Sequence, residues 1–148
     1  MLRITKLTDY AVLVLSDMVR PGDARAARDV ANNTRIPQPT VSKVLKLLAR
    51  AGLVESERGK NGGYRLARPA EAITLSDVVD AVEGPIAVTE CSTTERGCCD
   101  LEGNCPTETN WLRINEAIRQ ALRGITLADM VRPSFPVLIP LRRIIAQA

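Results

Sequence analysis

The stretch Gln38-Pro39-Thr40-Val41-Ser42-Lys43-Val44-Leu45-Lys46-Leu47-Leu48 decides how the rest of the chain is read. Val41, Val44, Leu45 and Leu48 recur at the spacing of one apolar helix face. Pro39 sits in the first turn, where a missing N–H has no intrahelical bond to break. Gly52 is a natural C-terminal stop. A helix is therefore expected over residues 38–51. Its other face shows Gln38, Thr40, Ser42, Lys43, Lys46 and Arg50, with no acid among them. Small hydroxyl and amide groups near a helix N-terminus reach base edges in the major groove, and cations reach phosphate.

On the N-terminal side, Leu7, Val12, Leu15 and Met18 mark a helix over residues 7–18, with Thr8 as its expected cap and Pro21-Gly22-Asp23 as its stop. A short helix over residues 26–33 turns inward at Val30, and Thr34-Arg35-Ile36-Pro37 forms a tight turn. On the C-terminal side, strands are expected over residues 53–57 and 64–67, around the turn Arg58-Gly59-Lys60-Asn61-Gly62-Gly63. Arg58 and Lys60 on that tip can enter the narrow minor groove, where the potential is most negative. Asn61 beside them completes the candidate DNA contacts. The succession is that of a helix-turn-helix followed by a wing. The expected fold is mainly α with a small β-hairpin wing, ending in a long C-terminal dimerisation helix.

Charge agrees with a polyanion partner for one half only. Residues 1–70 carry 13 Lys/Arg and 6 Asp/Glu, a net +7, whereas residues 71–148 carry 7 and 11, a net −4. Aromatic residues make up only 3%, so the core is aliphatic. No apolar run is long enough for a membrane span, and the N-terminus is a poor signal peptide, so a cytoplasmic protein without a membrane partner is expected.

Beyond the wing, Thr74-Leu75-Ser76-Asp77 has capping-box spacing and opens a helix through Val82, which Gly84-Pro85 ends. Residues 86–105 read as a loop. From Pro106, the residues Trp111, Ile114, Ile118, Ala121, Leu122 and Ile125 form an apolar stripe, the expected seam of a homodimer. Gly124 is expected to break this helix, with Thr126-Leu127-Ala128-Asp129 restarting it. No internal repeat is expected. The organisation is a winged-helix domain (1–84), a cysteine loop (85–105), a dimerisation helix (106–130) and an irregular tail (131–148).

All four cysteines, Cys91, Cys98, Cys99 and Cys105, lie within that loop. Iron–sulfur ligation, structural zinc and a thiol switch all use such thiols. Zinc sites pair ligands as C-x₂₋₄-C, and no such pair is present. Pro106 after Cys105 is expected to set that thiolate at a helix start, whose dipole favours negative charge.

Three segments carry a family resemblance: residues 1–11, Pro39-Thr40-Val41-Ser42-Lys43-Val44-Leu45-Lys46-Leu47-Leu48, and Gly59-Lys60-Asn61-Gly62-Gly63-Tyr64-Arg65-Leu66-Ala67. With Thr89-Glu90-Cys91, the later cysteines and Trp111, they resemble the Rrf-type winged-helix regulators that include IscR and NsrR. The resemblance spans about residues 1–130, and the subgroup it points to regulates SUF iron–sulfur assembly. It implies a homodimer that reads a two-fold operator in double-stranded DNA. It also implies an iron–sulfur cluster, of the 2Fe–2S or 4Fe–4S type, that senses iron–sulfur status, redox state or nitric oxide. Cys91, Cys99 and Cys105 match the family's three cysteine ligands, with Cys98 as substitute or fourth. The chain has no histidine, so the His of IscR-type members is excluded. Glu108 occupies that position, and Asp9 matches the acid that the other subunit supplies in NsrR-like members. Cys98, Glu108 and Asp9 are therefore the fourth-ligand candidates.

No nucleophile–base motif or phosphate loop is visible, so neither an enzyme nor a small-molecule substrate is expected. A cluster carrier would use the cysteines but not the basic winged half.

Overall fold

The computed structural model describes residues 3–19, 24–59, 62–93, 99–101 and 103–132. Six α-helices and one hairpin appear among them: α1 (Lys6–Met18), α2 (Ala27–Thr34), α3 (Gln38–Arg50), β1 (Val54–Glu57), β2 (Gly63–Leu66), α4 (Leu75–Glu83), α5 (Glu108–Arg123) and α6 (Leu127–Val131). Mainly helical structure with an antiparallel hairpin is the expected fold class. The tail beyond residue 132 lies outside the described residues.

Helices α1, α2 and α3 bury one aliphatic stripe each. Ala11, Val14 and Leu15 from α1 meet Val30 from α2 and Val41, Val44, Leu45 and Leu48 from α3, all fully buried. Leu53, Ile73 and Val78 close this core from the hairpin and α4 side. Between α2 and α3, Arg35 adopts a left-handed conformation (φ 58°, ψ 24°) that ends α2, while buried Ile36 anchors the turn.

The hairpin is fastened to the helices through backbone. Arg25, in the α1–α2 connection, exchanges two peptide hydrogen bonds with Tyr64 of β2, at 2.8 and 2.9 Å. A Cβ on Gly63 would lie 2.5 Å from the carbonyl carbon and oxygen of Arg25, so only glycine permits this approach. The Arg25 side chain pairs with buried Asp17 of α1 at 3.4 Å, and Asn33 of α2 donates to both oxygens of that carboxylate at 3.2 Å.

The start of α1 differs from the expectation. Thr5 is the N-cap, accepting from the Thr8 backbone N–H at 3.3 Å. Thr8 is instead fully buried, and its hydroxyl donates to Glu83 at the end of α4. The Thr5 backbone N–H donates to the same carboxylate oxygen at 3.0 Å. Burial by itself pushes the Glu83 carboxyl up, but the Thr8 hydroxyl and the Thr5 backbone and hydroxyl outweigh it. Its pKa therefore lies below the ordinary glutamate value.

A short repeat also emerges where none was expected. Ile73-Thr74-Leu75-Ser76-Asp77-Val78-Val79 is echoed by Ile125-Thr126-Leu127-Ala128-Asp129-Met130-Val131. Each copy opens a helix with a complete capping box. The two copies pair antiparallel at Thr74 and Thr126, with Leu75 N–H to Ile125 C=O and Leu127 N–H to Ile73 C=O at 2.8 Å each. Leu127 and Ala128 thereby enter the core, so the end of the segment assigned to dimerisation packs on the winged-helix helices.

Gly63→Ala is expected to lower stability by about 1–3 kcal/mol through overpacking against Arg25, read in urea denaturation. The stability advantage of wild type over Glu83→Gln is expected to be present at pH 7. It should fall as pH drops below about 4.5 and vanish beneath the lowered pKa of Glu83, because protonation removes the charged acceptor.

Candidate nucleic-acid interface and thiol segment

Helix α3 presents the expected polar face. Gln38, Lys43, Lys46 and Arg50 are exposed, and Thr40 and Ser42 half-buried, opposite the buried valines and leucines. Its N-terminus has Pro37 as N-cap, no side-chain cap and a proline in the first turn, which leaves the end open to a phosphate. Among the described residues, Lys43, Lys46, Arg50 and Arg58 have no carboxylate partner, whereas most other arginines do.

The wing divides its cations. Arg58 is exposed at the end of β1. Arg65 bridges Glu55 and Glu57 across the hairpin, at 3.0 Å to each, and is neutralised there. Gly59 takes a φ of 123°, open to glycine and strained for other residues, where the tip begins to turn. Lys60 and Asn61 lie outside the described residues.

The cysteines precede α5 in the chain. Cys91 sits in a 3-10 turn, Glu90–Ser92, that packs on α5. Its Sγ lies 3.2 Å from the Thr89 hydroxyl, which also meets the Ser92 hydroxyl at 2.8 Å. Cys105 precedes α5, its Sγ 3.3 Å from the Thr107 hydroxyl. The helix begins at Glu108, just after Pro106 as expected, and Cys105 lies before the N-cap Thr107. The Thr107 hydroxyl, then the backbone of Thr107 and of Glu108, hold the Cys105 thiol below its ordinary pKa, against burial and the Glu108 carboxylate. Cys91, Cys99 and Cys105 are half-buried free thiols. Among the described residues no three Cys, Asp or Glu side chains stand together as a metal site. Cys98 lies outside those residues. Asp9 is exposed in the first turn of α1, and Glu108 half-buried in that of α5.

The α5 stripe splits by depth. Trp111 and Ile114 are 40% and 45% exposed, and Leu112 beside them 45%, whereas Ile118 and Leu122 are half-buried. Ile118 and Leu122 line a cleft of about 610 Å³ with Val79, Glu83 and Ile86. Sequence reasoning missed Asn115, the one buried residue of α5. Its signal was a polar residue falling between Trp111 and Ile118 at helical spacing.

A helix-turn-helix with a hairpin wing, whose third helix turns an acid-free, basic face outward, defines a winged-helix DNA-binding regulator. Residues 4–133 match the Rrf2 family, described as iron-dependent transcriptional regulators, and the chain belongs to that family. Protein aau3 of Rhizobium meliloti (strain 1021) is 36% identical over 132 residues, covering 88% of this chain and 86% of the relative. The structure of CymR (YrzC), the global cysteine regulator of B. subtilis, superposes with a TM-score of 0.70 at 28% identity, over 88% of this chain and 97% of CymR. T. potens IscR gives a TM-score of 0.65 at 26% identity, over 88% and 86% of the two chains. No described helix is long and apolar enough to cross a membrane.

Arg58→Ala is expected to weaken operator binding and reduce the salt slope by about one. Arg65→Ala, whose cation is already neutralised, should leave that slope unchanged, both read in binding titrations across salt concentrations.

Proposed function

We propose that this protein is a cytoplasmic, homodimeric regulator whose operator affinity is set by an iron–sulfur cluster on Cys91, Cys99 and Cys105. The observation that carries DNA reading is the acid-free outer face of α3. Gln38, Thr40, Ser42, Lys43 and Lys46 contact the major groove, with Arg58, Lys60 and Asn61 at the wing. Exposed Trp111, Leu112 and Ile114 support a dimer seam on α5, since adjacent large apolar side chains mark an interaction surface. Two such subunits present two recognition helices to a two-fold operator.

The donor chemistry fits the cluster: free thiols on one segment, two of them beside threonine hydroxyls, and carboxylates at Asp9 and Glu108. When bound, an iron–sulfur cluster supplies a redox- and ligand-sensitive centre. Its fourth ligand is Cys98, Glu108 or Asp9. The protein's own part is to hold Cys91 in a turn packed on α5 and Cys105 just before the start of that helix, so that their state bears on the seam. A second reading, a thiol-based redox regulator, draws on the lowered pKa of Cys105, since a stabilised thiolate oxidises more readily. The likeness to CymR, the global cysteine regulator, favours it too. Both readings make the protein a regulator rather than an enzyme or a cluster carrier.

Anaerobically purified protein is expected to be brown and to shift operator DNA as a dimer. The colour should be lost in Cys91→Ser, Cys99→Ser and Cys105→Ser, and one of Cys98→Ala, Glu108→Ala and Asp9→Ala should alter the spectrum. Colourless protein whose operator affinity follows thiol oxidation would instead establish the thiol reading. Failure to shift any promoter fragment of its own genome would sink both.

A further inference from the structure

Asn115 is 7% exposed on a helix whose other residues are half-buried or exposed. Its Nδ2 donates to the Ile86 carbonyl at 3.0 Å, and its Oδ1 accepts from the Val88 N–H at 3.1 Å. A carboxamide carries one donor and one acceptor in one plane, so a single side chain satisfies the C=O of Ile86 and the N–H of Val88 together. Neither leucine nor a carboxylate reproduces both bonds.

The pinned segment leads straight into the thiol segment. Val88 is followed by Thr89, whose hydroxyl meets the Cys91 Sγ, and the turn carrying Cys91 packs on α5. One helical turn on from Asn115, Arg119 reaches toward Asp80 of α4 at 3.9 Å. The face of α5 that fixes the cysteine segment thus also meets the winged-helix domain.

We infer that Asn115 is a positioning residue for the Cys91 thiol, fixing it to α5 through the backbone of residues 86–88. The inference rests on the reading of Cys91 as a sensing thiol, but its main readout requires no metal. In protein carrying Cys98→Ala, Cys99→Ala and Cys105→Ala, Cys91 is the sole thiol, and its alkylation by iodoacetamide is followed in the reduced state. Asn115→Leu is expected to raise that rate severalfold. Asn115→Asp, which keeps the acceptor for Val88, should give an intermediate rate, and Glu116→Gln on the exposed side of α5 should leave it unchanged. Equal rates in wild type and both Asn115 variants, with helical content and melting curves retained, would overturn the inference. Should neither variant fold, amide exchange at Val88 in the unsubstituted protein decides: protection supports the inference, and exchange at the free-peptide rate overturns it.

A second arm uses the chain with all four cysteines, reconstituted anaerobically with iron and sulfide. Asn115→Leu should lower cluster retention by about tenfold, as removal of a partner that orients a ligand does. If unsubstituted protein takes up no cluster, the iron–sulfur reading fails, while the alkylation result still decides the role of Asn115.

Discussion

Arg25 is held twice, and the reading head depends on both grips. Its peptide group pairs with Tyr64 and draws the hairpin against the helices at the one place where Gly63 leaves room. Its guanidinium meets Asp17, a carboxylate almost wholly removed from water that Asn33 also satisfies. A buried carboxylate left with too few donors is strongly destabilising, so the three partners stand or fall together. One residue in a connecting segment thereby fixes α1, α2 and the wing in a common frame. The orientation of α3 follows, since its apolar stripe has no other surface to fill. The spacing between α3 and Arg58 is thus set by backbone contact rather than by long side chains.

Helix α5 stands between this frame and the cysteines. On one side Ile118, Leu122 and Arg119 meet α4. On the same rod Asn115 grips the backbone that leads to Cys91. Trp111, Leu112 and Ile114 are left toward solvent. A helix so placed has little freedom to respond to one neighbour without moving against another.

Local signals were legible in the sequence. The α3 stripe, the wing with its glycines and the capping box at Thr74 depend on residues within a few positions of one another, and each appears at its expected place within a residue or two. What escaped depends on partners far along the chain. Thr8 is the expected cap of α1, but its hydroxyl is taken up by Glu83, far along the chain, and Thr5 caps instead. The pairing of Arg65 with Glu55 and Glu57 depends on the hairpin register. The return of Leu127 into the core was hidden because its short motif, like its twin at Leu75, reads as an ordinary helix start. The cysteine segment was conspicuous by composition, but spacing alone does not say which thiols approach one another. The polar anchor at Asn115 was concealed by the apolar pattern around it.

The pairing of Thr74 with Thr126 has a consequence for the order in which the protein is made. Leu127 and Ala128 complete the aliphatic core of the DNA-reading half, yet they are translated after the cysteine segment and α5. Closing that core requires a contact between strand-like segments some fifty residues apart, a long loop to order before any reward is collected. A nascent chain halted before Thr126 leaves Ile73 and its neighbours without their cover, a state open to proteolysis and aggregation. The aliphatic core is therefore complete only on a chain whose cysteine segment and α5 have already been made.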